Sequence, residues 1–162
     1  AGLIQTKQLQ FAGKVNHSMD HKRDEAIKVW KHFADTGDRE GTAALCAEYG
    51  FASVYHAGSV ASKAGSPETI DLELDVITIG DSLAFVTAPN ELFDTNSVYV
   101  EEHSPYKMTM TFGYSNGYRG YIPSAYGWEY TSYESDCCYF LPGCGETIQD
   151  TFLSMLGELY EA

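Results

Sequence analysis

The chain has 162 residues, with 23 Asp and Glu against 10 Lys and Arg, and so a formal charge of −13 at pH 7. That balance excludes a nucleic-acid reader built on phosphate contacts, and a content of 44% hydrophobic and 14% aromatic residues excludes a disordered acidic tail. No run approaches the roughly 18 apolar residues of a membrane span and no basic-then-apolar leader opens the chain, so a soluble protein is expected, with cytoplasmic and secreted settings both open. The length predicts a single domain with its own core. Ala1 in place of Met leaves open a processed chain or a piece of a longer one.

Leu3 to Phe11 mixes apolar and polar residues, with Gln at alternate points, and reads as an edge strand or an extended entry. From Asp20 the period changes. Ala26, Ile27, Trp30, Phe33 and Ala34 fall on one stripe of a helix, capped by Asp20 or Ser18 and stopped by Gly37. A shorter helix is predicted over Thr42 to Tyr49, ended by Gly50, and Phe51 to Ala64 is able to continue helically until Ser66-Pro67. Ile70, Leu72, Leu74 and Val76 then alternate with Asp71, Glu73 and Asp75, the pattern of a half-buried strand. Ile77 and Ile79 break that alternation, so a bulge or burial on both faces is expected near its end.

Gly80-Asp81 predicts a turn into a second short strand, Leu83 to Ala88, closing a hairpin. Beyond Pro89, Asn90 is placed to cap a helix from Glu91 to Glu102, with Ser104-Pro105 as its stop. Lys107 to Tyr114 is a third strand, with Met108, Met110 and Phe112 on one face and Thr109 and Thr111 on the other. The last element is a helix carrying Ile148, Phe152, Leu156 and Leu159 on one face. The fold class is therefore mixed α/β (α+β). Its central mixed sheet comes from Leu72–Ile79, Leu83–Ala88 and Lys107–Tyr114, with helices near residues 20–36, 91–103 and 146–160.

His17 and His21 form an H-x-x-x-H pair that invites a metal reading. His32 lies eleven residues further on, roughly 16 Å along a helix at about 1.5 Å per residue, and cannot share an ion with His21. A solvated face is the better reading of all three. His56 and His103 stand alone, and no nucleophile triad has a local signature. Cys46, Cys137, Cys138 and Cys144 have no C-x-x-C spacing and read as ordinary thiols, with a secreted disulfide left open. Eight of the twelve tyrosines lie between Pro105 and Phe140. Such a tract either covers apolar surface with amphipathic rings or forms a binding wall.

The second half holds a further pattern. Phe85-Val86-Thr87-Ala88-Pro89-Asn90-Glu91-Leu92-Phe93 is followed by Asn116-Gly117-Tyr118-Arg119-Gly120-Tyr121-Ile122, then by Tyr126, Tyr130, Tyr133 and Glu134. From about Leu72 onward this order resembles the later part of the catalytic domain of neutral/alkaline ceramidases and their bacterial relatives. There a strand leads to a glutamate-bearing turn, then to an N-x-Y-x-x-Y-[IV] block and further tyrosines.

The resemblance implies a zinc ion held by two histidines, a glutamate and a tyrosine, and amide hydrolysis by metal-activated water. Glu91 matches the glutamate and Tyr121 the tyrosine; both are oxygen donors that suit zinc. Tyr133 matches a tyrosine near the scissile amide, placed to donate a hydrogen bond to the developing oxyanion. Asn116 is then a supporting, loop-shaping residue. The family's histidines lie far upstream of these blocks, and His17 and His21 lack their surroundings. The expectation is therefore a C-terminal part of a larger hydrolase, inactive alone, with an N-acyl amide or lipid-like substrate and the missing N-terminal part as partner. Leu92-Phe93-Asp94 replaces the threonine-rich sequence of the ceramidases proper, which leaves ceramide specificity in question. The alternative is a non-catalytic α/β domain that uses its tyrosine-rich surface for binding. If the site is real, the Glu91 and Tyr121 oxygens should lie within about 5 Å of each other, since zinc–oxygen bonds are about 2.0–2.2 Å.

Overall fold

The structure, a computed structural model, describes residues 3–130 and 132–162. β1 (Ile4–Lys14) leads through a 3-10 turn at Asp20–Lys22 into α1 (Arg23–Thr36), α2 (Arg39–Tyr49) and α3 (Val54–Lys63). β2 (Thr69–Ile79), β3 (Leu83–Thr87) and the two-residue β4 (Glu91–Leu92) follow. After them come α4 (Asp94–His103), β5 (Met108–Phe112), β6 (Tyr121–Ile122), α5 (Ala125–Trp128), α6 (Tyr133–Cys137) and α7 (Cys144–Tyr160). The main sheet has the order β1-β2-β3-β5, antiparallel across the first two junctions and parallel across the last. This is the expected mixed α/β architecture, with the N-terminal segment as its long edge strand.

The β2 alternation persists to the end of the strand. Leu72, Leu74, Val76 and Thr78 point inward with no exposure, and the ladder to β1 runs unbroken from Thr69 to Ile79. No bulge resets it. Ile77 and Ile79 sit on the same outer face as Asp71, Glu73 and Asp75, so what changes along the strand is the character of that face. There Ile79 pairs with Ile4 and Leu83, and Ile77 with Phe85. Leu83 and Phe85 pair in turn with Met108 and Met110. On β5 the apolar set, Met108, Met110 and Phe112, faces outward, while Thr109 is buried and bonds Ser104 Oγ at 2.6 Å. Half of the outer face is thus an open apolar patch. The other half is polar, tied by Gln8–Asp75 and Gln10–Glu73 bonds of 2.9 and 3.1 Å.

The inner face carries the core. Leu72, Leu74, Val76, Ala84 and Val86 pack with Ile148, Phe152, Met155 and Leu156 of α7, with Val100 of α4, and with Phe140. The 3.6-residue spacing expected for the last helix puts Ile148, Phe152 and Leu156 on that contact. A second, smaller core joins α1, α2 and α3 through Ala26, Val29, Cys46, Phe51, Ala57 and Val60. Gly37 and Gly50 end their helices in the left-handed conformation, φ 64° and 75°. Asp38 and Ser53 cap α2 and α3.

Three further local expectations change. The α1 stripe is rotated: Ala26 and Val29 are buried, whereas Ile27 and Trp30 remain 38% and 44% exposed. Asp20 does not cap α1; its carboxylate holds His17 Nδ1 at 2.7 Å. α4 begins at Asp94 rather than Glu91, because the backbone stays extended through Leu92 to pair with β6. All four cysteines are free thiols. Among the described residues no helix is long and apolar enough to cross a membrane.

Candidate functional site

Two chain segments meet beside the C-terminal ends of β3 and β5. Asn90 is fully buried, and its amide donates to the Arg119 and Gly120 carbonyls at 3.1 and 3.3 Å. The Arg119 N–H donates to Pro89 O at 2.6 Å, the Glu91 N–H to Gly120 O at 3.0 Å, and the Phe93 N–H to Ile122 O at 3.2 Å. Gly113 allows the close approach: a Cβ there would lie 2.6 Å from the Asn90 carbonyl oxygen. The result is a parallel pair with Glu91 opposite Tyr121 and Leu92 opposite Ile122. Residues opposite one another on neighbouring strands, about 4.8 Å apart, project to the same side. Glu91 and Tyr121 are therefore neighbours across one strand junction.

The loop between β5 and β6 folds back over this pair. Tyr114 and Asn116 adopt left-handed conformations, φ 56° and 59°, which is uncommon for residues with a side chain. The Tyr114 and Tyr118 rings stack at 5.1 Å and 8°, and Tyr118 Oη donates to Glu91 Oε1 at 3.1 Å. A hydrogen bond to Glu91 raises the Tyr114 phenol far above its usual range. Burial, then the Glu91 bond, raises Tyr118. Burial and the Glu91 charge push Tyr121 up to about 12. Three neutral phenols thus surround one carboxylate.

Tyr133, at the start of α6, sets its ring edge-on to Tyr121 at 5.8 Å and to Tyr55 at 5.0 Å. The neighbouring Cys137 raises its phenol first, with burial second. Asn116 goes elsewhere: its amide donates to Glu73 Oε1 and Asp75 Oδ2, both at 2.8 Å, on the outer face of the sheet. It ties the tyrosine loop to β2. Of the four residues singled out in the sequence, Glu91, Tyr121 and Tyr133 come together and Asn116 lies apart from them.

Two clefts adjoin at Tyr121. One, of about 690 Å³, opens between the helical trio and the tyrosine loop; the other, of about 610 Å³, contains Glu91, Phe93, Tyr126, Tyr130 and Glu134. Trp30, Tyr55, Asn90 and Tyr114 were not singled out as site residues. The apolar stripe of α1 hints at Trp30 and the density of tyrosines at Tyr114, while Asn90 and Tyr55 carry no local signal.

Four of the five histidines make their contacts elsewhere. His17 bonds Asp20, His32 lies 3.5 Å from Asp38, His56 accepts from the Ala52 N–H, and His103 stacks on Tyr99 at 4.1 Å. Among the described residues no group of three His, Cys, Asp or Glu side chains could hold a metal ion. The Glu91–Tyr121 pair offers two hard oxygen donors, where a catalytic zinc site takes three protein ligands. The donors present fit part of such a site. Burial pushes the Cys138 and Cys144 thiols up to about 11 and 12, away from thiolate chemistry.

No family model matches the chain, and neither does any curated protein sequence. Solved structures do. A structure described as ceramidase complexed with C2 superposes with a TM-score of 0.52 at 20% identity, covering 59% of this chain and 15% of its own. The neutral ceramidase from Pseudomonas aeruginosa gives 0.50 at 22% identity, covering 59% and 16%. The chain therefore has a ceramidase-like fold over part of its length and spans about a sixth of these larger proteins.

Proposed function

We propose that this chain is a portion of a zinc-dependent amidohydrolase related to the neutral ceramidases, with Glu91 and Tyr121 as two of the metal ligands. The observation that carries this reading is the in-register pairing of those two residues at a strand junction, within a ceramidase-like fold. A zinc ion supplies Lewis-acid activation of water and of an amide carbonyl. The remaining donors, two histidines, come from the rest of the protein, and the chain alone is without hydrolytic activity. Glu91 would bring the negative charge a cation site needs, and Tyr121 a phenol oxygen that a bound cation would favour in its ionised form. Tyr133, held by Tyr55 and Tyr121, donates its O–H to the oxygen of a bound N-acyl amide as negative charge develops there. Asn116 keeps the tyrosine loop against β2. The open apolar half of the sheet is covered by the missing part of the same protein.

A second reading rests on the same cluster. Glu91 already accepts a hydrogen bond from Tyr118, an arrangement complete without metal in a binding domain that performs no hydrolysis. Metal analysis of the full-length protein separates the two. One equivalent of zinc, lost together with N-acyl amide hydrolysis in Glu91→Ala and reduced in Tyr121→Phe, supports the hydrolase. Zinc content unchanged by Glu91→Ala overturns it.

A further inference from the structure

We infer that Tyr118, backed by Tyr114, is a latch on Glu91: its phenol occupies the carboxylate in the metal-free chain and swings off when a cation takes its place. This rests on the reading above, in which Glu91 is a metal ligand, and adds to it a control on when that ligand is free. The latch withholds Glu91 from stray cations until the remaining donors are assembled around it.

In a chain with a formal charge of −13, an open carboxylate attracts cations without discrimination. Glu91 is not open. Tyr118 Oη donates to Oε1 at 3.1 Å, and the Tyr114 and Tyr121 phenols are hydrogen-bonded to the same side chain. A carboxylate has about four lone-pair sites, and O–H donors on them compete with a cation for the same electrons. The three phenols differ in how they are held. Tyr121 faces Glu91 across a strand junction and stays beside whatever the carboxylate binds. Tyr114 and Tyr118 come from the loop and reach Glu91 through their side chains alone.

The loop is built so that a ring moves while its backbone stays. Asn116, on one side of Tyr118, is tied to Glu73 and Asp75 at 2.8 Å. Arg119, on the other, donates its N–H to Pro89 O at 2.6 Å. Gly117 joins them at φ 152°, a conformation open to glycine. The Tyr118 ring is 52% exposed and rests on the Tyr114 ring, itself 60% exposed. It also lines the cleft of about 690 Å³, which gives it room to turn. Opening therefore costs one charge-assisted hydrogen bond and one ring stack. An ion held by a complete ligand set overcomes that cost, whereas an ion held by Glu91 and Tyr121 alone is weakened by it.

Terbium, a hard trivalent cation whose emission is sensitised by nearby tyrosine, is the probe, titrated into the 162-residue chain. Glu91→Gln defines the part of the signal that belongs to this carboxylate. Tyr118→Phe, alone or combined with Tyr114→Phe, is expected to tighten that part by roughly tenfold, the lower end for a hydrogen bond to a charged group. Tyr121 remains as the antenna. Introducing Glu91→Gln should abolish the gain. In the unsubstituted chain, terbium should also shift tyrosine absorption to shorter wavelength as the phenol leaves the carboxylate, a change absent from Glu91→Gln. That measurement holds even where a phenylalanine variant folds poorly. Unchanged or weaker terbium affinity in the phenylalanine variants, a gain that survives Glu91→Gln, or Glu91-dependent binding without the tyrosine shift would overturn the latch. Each of these leaves the zinc content of the full-length protein, and with it the hydrolase reading, to its own test.

Discussion

With no solvent exposure, the Asn90 amide directs both its N–H bonds to the Arg119 and Gly120 carbonyls, so the alignment of Glu91 with Tyr121 depends on a neighbouring side chain. Removing a buried donor leaves acceptors unsatisfied at about 1–3 kcal/mol. Asn90→Ala is therefore expected to lower Tm by several degrees, at roughly 2–4 °C per kcal/mol for a chain of this size. On the hydrolase reading proposed above, it should also loosen zinc retention with Glu91 intact. A melting curve superposable on the wild type's would show that the junction does not rely on Asn90. At the other end of the chain, His17 Nδ1 bonds Asp20 and its Nε2 lies 3.4 Å from the Pro67 carbonyl. The Asp20 bond, foremost, raises the imidazole above its ordinary value of 6.5. A raised folded-state value means the bond's stabilisation is fully present below about pH 6.5 and fades as pH climbs through the folded value. His17→Asn should flatten the fall in Tm above that pH. An equally steep fall in the variant would assign the effect to another group.

Elements differ in how openly their sequences state their packing, and the reason is the strength of the period. The alternation in β2 and the spacing in α7 each name a face, because every residue on that face meets the same core. Phe152, fully buried where α7 crosses the sheet, should cost about 3–5 kcal/mol as Phe152→Ala, read as a matching fall in denaturant midpoint at unchanged m-value. A loss under about 1 kcal/mol would place the core elsewhere. α1 is less legible. Its largest apolar residue, Trp30, falls on the stripe that the spacing predicts, yet Val29 is buried and Trp30 is half in the cleft, because Gly58 on α3 seats the ring at the rim. The start of α4 departs from its local signal for a related reason. Asn after Pro is a good helix cap by local rules, but here its amide crosses to a segment some thirty residues away. The tyrosines around Glu91 were visible as a dense tract. Which of them reach the carboxylate depends on left-handed turns at Tyr114 and Asn116, which local propensity does not announce.

At the scale of the whole molecule, two facts about surface weigh against each other. The outer face of the sheet shows Ile4, Ile77, Ile79, Met108, Met110 and Phe112 to solvent, a grouping of the kind that marks an interface. The net charge of −13 opposes pairing of two copies. A different occupant is then favoured, and on the reading proposed above it is the rest of a larger protein. Methionine chemistry can decide this, because oxidation to the sulfoxide follows exposure. Met108 and Met110 are 54% and 39% exposed, whereas Met155 is buried on the core face of α7. In dilute peroxide the 162-residue chain should oxidise at Met108 and Met110 well before Met155. In the full-length protein the first two should slow toward the rate of Met155, as peptide mass spectrometry would show. Equal rates for Met108 and Met110 in both proteins would mean that the face is open in the complete protein. Its apolar residues would then need a separate partner.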